Sequence, residues 1–272
     1  MRNPLLFTVS LCVLILAGTG LAITNGTLDT THDSVGAIII DASGYDPFIV
    51  CSGTLIDDED GVFLTAAHCS IAVNSWIAAG FFTIDDVYVC FDEDVWATGA
   101  TWIPVSSLEA HPDYTGKRPL DYDVGVLILD PDDPDDLPAP ATLAAEGYLD
   151  DLKDDGELKG GPKTVLFTVV GYGTQLAFPP PKVIPTDGKR RVTQTGYLAL
   201  NKQHLTLLQN QAAGLGGTGY GDSGGPTFWT DGDGDEHLVA VTSWGDPKLV
   251  ATGITQRVDI ETAHEFVEDA SD

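Results

Sequence analysis

The stretch Gly221-Asp222-Ser223-Gly224-Gly225-Pro226 places one serine in a glycine-rich turn, just ahead of the β-rich run Thr227-Phe228-Trp229-Thr230. Two upstream segments complete its chemistry: Thr65-Ala66-Ala67-His68-Cys69 and Asp121-Tyr122-Asp123-Val124-Gly125-Val126. Serine is a weak nucleophile at neutral pH. It needs a base within hydrogen-bond reach and a third group that orients the base. Ser223, His68 and Asp123 could fill these roles. Asp121 is a local rival to Asp123 for the carboxylate, and otherwise reads as a solvated or turn residue.

The order His68, Asp123, Ser223 differs from the orders used by subtilisins and α/β-hydrolases. The turn also satisfies Gly-x-Ser-x-Gly, the α/β-hydrolase elbow, but that motif requires a helix after the serine. Pro226 and the β-rich residues behind it oppose one. Taken together, the motifs resemble the trypsin/chymotrypsin-like serine proteases, from Ile23 to the C-terminus. The resemblance implies an all-β fold: two antiparallel six-stranded β-barrels with the active site between them. His68 would be the general base, Asp123 its orienting carboxylate and Ser223 the nucleophile. The backbone N–H groups of Gly221 and Ser223 would form the oxyanion hole. Ser243 would hydrogen-bond Asp123, and Cys51 would be bonded to Cys69. Asp222 would pair with the α-amino group of a mature chain starting at Ile23.

The same resemblance places a substrate pocket at Gly217, Thr218, Ser243, Trp244, Gly245 and Gly253. Trypsin-type enzymes carry an aspartate at the pocket base, where this chain has Gly217. The expectation is therefore an open, neutral pocket preferring a large apolar or aromatic residue at P1, the residue before the cleaved bond. Asp246, next to Gly245, could still reach a basic P1 group. The family's additional disulfide near this pocket is absent, so its loops are expected to be mobile. The function implied is a secreted serine endopeptidase acting through an acyl-enzyme. Rival readings are a catalytically silent binding protein on the same fold and an esterase using the same triad.

Composition bounds the partners. There are 41 acidic residues against 13 basic ones, a formal net charge of −28. Such a surface repels nucleic acid and anionic membranes and favours cationic substrates. It also keeps a chain soluble at high salt, where self-repulsion is screened; a saline habitat is one reading, a merely acidic secreted protein another. A peptide or protein substrate, a monomeric state and no cofactor are expected. The carboxylates of Asp231-Gly232-Asp233-Gly234-Asp235-Glu236 could supply oxygen ligands to calcium. The reading adopted there is a solvated hairpin turn, because Asp-Gly is a strong turn signal and the EF-hand spacing is incomplete.

Arg2, the apolar run Leu5–Ala17 and the small residues at Gly20-Leu21-Ala22 read as a signal peptide over 1–22, giving an extracellular or periplasmic protein without membrane attachment after cleavage. No Arg or Lys precedes Ile23, so signal removal would itself release the Ile23 amine. An exported protein can keep disulfides. Cys90, outside the expected Cys51–Cys69 pair, reads as a buried free thiol.

Apolar, β-branched runs between turn signals predict strands at Val35–Ile40, Phe48–Ile56, Val62–Ala66, Val87–Phe91, Val124–Leu129, Thr164–Val170, Val192–Leu200, Pro226–Trp229 and Leu238–Ser243. The segment Asp130–Pro140, rich in proline and aspartate, reads as the linker between a barrel over about 23–130 and a second barrel with a helix over about 141–272. Ile260, Ala263, Phe266 and Val267 stand at helical spacing and predict a short C-terminal amphipathic helix over Asp259–Asp269, with Asp259 as its cap. Ala144–Leu152 stays open between a helical turn and an irregular connection. His111 is expected at the surface.

Overall fold

A computed structural model describes residues 21–177 and 182–271. Most of the expected signal segment lies outside these residues. Among the described residues no helix is long and apolar enough to cross a membrane.

Two antiparallel barrels form. The first closes in the order Val35–Ile40, Phe48–Asp57, Val62–Thr65, Gly125–Leu129, Ile103–Ala110, Val87–Cys90. The second runs His204–Leu208, Thr252–Arg257, Glu236–Gly245, Pro226–Thr230, Leu166–Gly171, Arg191–Leu200, and closes because the last strand pairs back with the first. Closure leaves no free strand edge within either ring. Thr27–Leu28 adds a short strand to Arg191–Val192, and Leu21–Ala22, Gln175–Ala177 and Lys182–Ile184 form a small separate sheet.

Each barrel encloses its own apolar core. Ile38, Leu55, Phe63 and Leu127 fill the first; Phe167, Val169, Leu205 and Val239 belong to the second. Another cluster joins Val35, Ala37 and Leu64 of the first barrel to Val170, Tyr172 and Val241 of the second. This cluster glues the barrels face to face. The segment after Asp130 is strapped to both: Ala141 N–H donates to Leu55 O at 2.8 Å, and Ala144 N–H to Leu238 O at 3.0 Å.

Among the described residues there are three α-helices: α1 (Ala67–Ala78), α2 (Tyr148–Asp155) and α3 (Glu261–Ser271). Helix α3 is the expected C-terminal helix, but Asp259 does not cap it. Its buried carboxylate takes the Leu149 N–H at 2.8 Å, a first-turn donor of α2, and faces the Arg257 guanidinium. Charge compensation by Arg257 and the orphan N–H of another helix outweigh sequence adjacency. His111 is also not at the surface. It stacks on Tyr122 at 4.9 Å between centroids and is only 6% exposed, beneath α3. The turn at Asp231–Glu236 is a hairpin tip in which Asp231 Oδ1 accepts the N–H groups of Asp233 and Asp235.

Candidate active site

Strands Val62–Thr65 and Gly125–Leu129 are antiparallel neighbours, with Thr65 opposite Gly125. His68 follows one partner and Asp123 precedes the other, so the pairing brings the two together at the same end of the barrel. Helix α1 begins at Ala67 without a side-chain cap from Ala66. Asp123 supplies the missing acceptor: its Oδ1 takes the His68 N–H at 2.9 Å. Its Oδ2 takes the Nδ1–H of the same imidazole at 2.8 Å and the Ser243 hydroxyl at 2.5 Å. The carboxylate is fully buried, and these donors offset the cost of holding a charge there. With Nδ1 occupied, Nε2 is the nitrogen left to accept a proton. The Cys51–Cys69 disulfide ties α1 to the neighbouring strand, and Cys90 is free and buried, its thiol pushed up to about 12 chiefly by that burial.

Ser223 enters from the second barrel, and both barrels hold its turn. Ser52 donates its N–H to Ser223 O and its hydroxyl to Gly221 O, each at 2.9 Å. Gly224 N–H reaches Thr242 O at 2.8 Å. A side chain at Gly224 would strike Thr65 and Ala66, so glycine lets the serine turn press against the residues leading to His68. Among the described residues, the N–H groups of Gly221 and Ser223 donate to no protein acceptor, which leaves both free for a developing oxyanion. No direct hydrogen bond joins His68 to Ser223. Such bonds are often long without substrate and tighten when it binds.

The family model named Trypsin matches residues 24–263. The chain belongs to the trypsin family. Its members are serine peptidases, and the two-barrel architecture above is the fold expected of one.

Asp222, next to the trypsin-family serine, is completely buried. Its carboxylate accepts the N–H groups of Gly173 and Gly219, both at 2.7 Å, and forms no ion pair among the described residues. Burial pushes it up to about 7, against the lowering by those hydrogen bonds. Ile23 is also fully buried, and Thr24 forms a two-way bridge with Gly217, N–H to O at 2.8 and 3.1 Å.

Beside Ser223 lies a cavity of about 250 Å³ lined by Thr218, Gly219, Tyr220, Ser243, Trp244 and Gly245, with Asp246, Leu249 and Arg118. Gly217 and Gly253 do not line it. Sequence reasoning missed Arg118, whose guanidinium sits 4.0 Å above the Trp244 ring; its position in the chain gave no signal for that contact. Asp246 has a structural use for its carboxylate. It accepts the backbone N–H groups of Lys248, Val250, Ala251 and Thr252. Burial raises its pKa, but these bonds outweigh burial and lower it. They knit the 246–252 loop where the family's further disulfide is absent.

Proposed function

We propose that this chain is a secreted serine endopeptidase that hydrolyses peptide bonds through an acyl-enzyme. The observation that carries the reading is the buried Asp123 carboxylate, which binds both the backbone and Nδ1 of His68. That arrangement fixes the imidazole tautomer with Nε2 as base and stabilises the imidazolium once formed. Ser223 Oγ attacks the scissile carbonyl while His68 takes its proton. The N–H groups of Gly221 and Ser223 stabilise the oxyanion. His68 then protonates the leaving amine, and water releases the acyl group by the same steps in reverse. The pocket base carries no carboxylate in this reading: Gly217 stands there, the Asp246 carboxylate is engaged by its own loop, and the lining charge left is the Arg118 guanidinium over Trp244.

Cleavage between Ala22 and Ile23 would free an α-amino group. Asp222, buried without a counter-ion, is its proposed partner, and the Thr24–Gly217 bridge supports that placement. N-terminal sequencing of the secreted protein should read Ile23-Thr24-Asn25-Gly26; another start refutes this activation route.

The central test is cleavage of a diverse peptide library by protein beginning at Ile23. Ser223→Ala is expected to lose at least about 10³-fold in kcat while remaining folded. A fluorophosphonate should label the wild type and not the variant. A folded wild type that neither cleaves nor labels would make the chain a silent binding protein; turnover of simple esters alone would make it an esterase.

A further inference from the structure

The three glycines expected to keep the primary pocket open do not leave that room to a substrate. A methyl group at Gly217 would run into Cβ and Oε1 of Gln209. One at Gly253 would lie 3.1 Å from Gln209 Oε1, and one at Gly245 3.3 Å from Gln209 Nε2. The same side chain therefore faces all three positions. It is 1% exposed and pinned at both ends of its amide. Oε1 accepts the Thr218 N–H at 3.0 Å, and Nε2 donates to Thr252 O at 3.2 Å. These partners belong to the two opposite walls, so the amide bridges them.

We propose that Gln209 is a specificity-determining residue, a plug that forms the floor of the primary pocket and limits it to short P1 side chains. This inference rests on the protease reading above and replaces the expectation of a large aromatic P1. The cavity beside Ser223 is lined by Thr218 and Gly245, which adjoin Gln209, and stops short of Gln209, Gly217 and Gly253 themselves. An aromatic ring reaching the base would have to displace an amide with both ends hydrogen-bonded. Leaving those buried backbone groups unpaired would oppose binding. A P1 side chain of alanine to valine size needs no such displacement.

The test compares wild type, Gln209→Ala and Gln209→Met on peptides differing only at P1, together with calorimetric binding of p-cresol as a probe of pocket depth. Wild type should cleave after Ala or Val at least about tenfold more efficiently than after Phe, within the 10–200-fold range a hydrophobic pocket can discriminate. Gln209→Ala should shift the Phe-to-Ala ratio upward by at least about tenfold and bind p-cresol more tightly. Gln209→Met keeps most of the bulk but loses the two hydrogen bonds that pin it, and should reject Phe less than wild type and more than Gln209→Ala; a Met variant as permissive as Gln209→Ala assigns the rejection to the pinned amide, and one as strict as wild type assigns it to bulk. If the alanine variant does not fold, Gln209→Asn, which withdraws the amide by one methylene, should shift both readouts in the same direction. A wild type that prefers Phe or Tyr at P1 overturns the proposal. So does a folded alanine variant with an unchanged P1 profile and unchanged p-cresol affinity. Tighter p-cresol binding in the alanine variant with no peptide cleavage by any form would support the plug while refuting the protease reading.

Discussion

Asp123 ties the fold to the proposed chemistry. It supplies an acceptor to the uncapped start of α1, and the same carboxylate orients the imidazole carried on that helix. Replacing it with asparagine retains the shape and an acceptor oxygen but removes the charge, and the amide can favour the wrong imidazole tautomer. Asp123→Asn is expected to fold and to lose about 10⁴-fold in kcat, the size known for the corresponding carboxylate in this family. Steady-state kinetics on a cleaved peptide would check it; a loss below tenfold would remove Asp123 from the proposed role. The candidate site was legible at this scale because His68, Asp123 and Ser223 each sit in a local motif. Gln209 carries no motif. Its neighbours are remote in sequence, and nothing in His204–Gln209 marks the last residue as a pocket floor.

At the scale of elements, the runs expected as strands are all apolar, yet His204–Leu208, a barrel strand with Leu205 and Leu207 buried, is missing from them. Thr252–Arg257 was not among them, although it is a barrel strand. Its buried residues include the polar Thr255, Gln256 and Arg257, which alternate between the two faces of the strand, so hydropathy hides it. Ile103–Ala110 contains Pro104 and two serines, which weaken the strand signal. Helix α1 lacked a cap in its own sequence because the cap comes from Asp123. Arg257 shows what the polar strand is for. Its guanidinium joins Asp259 and Asp150, linking the strand to α2 and to the start of α3. Arg257→Ala would leave Asp259 buried and uncompensated, at a cost of about 3–5 kcal/mol. Urea unfolding should show a lower midpoint of that size; a loss under 1 kcal/mol would mean that Asp259 finds another partner.

Across the whole molecule, the seam between the barrels carries polar contacts beside its apolar cluster. The Tyr172 hydroxyl lies within hydrogen-bond reach of both Val35 O and Asp92 O, and Arg190 reaches Asp29, Asp33 and Phe91 O. His32, where the chain passes from the second barrel to the first, joins this seam. It contacts Asp29 at 2.9 Å and Glu236 at 3.1 Å and stacks on Phe228. Burial lowers its pKa, but the two carboxylates outweigh burial and raise it from 6.5 to about 9. A raised folded-state pKa contributes stability that is fully present below about pH 6.5 and lost as pH rises through about 9. Glu236 shifts the opposite way, mainly through its bond to His32, so its contribution is lost on acidification through the carboxylate range. His32→Gln should therefore lower the melting temperature at pH 6, with the difference from wild type shrinking towards pH 10. Melting curves at the two pH values test this; a difference independent of pH would mean that His32 acts only through packing.

The sequence by itself determined the class of fold, the candidate nucleophile, base and carboxylate, and the strongly acidic balance of charge. Those features are written in local motifs, alternating apolar runs and composition. Only the tertiary structure decided where Asp259 caps, why His111 is buried, which polar residues hold the seam, and what fills the space beside Gly217, Gly245 and Gly253. Each of these depends on groups far apart in the chain that meet when the barrels close, and each is settled by how buried polar groups find partners there.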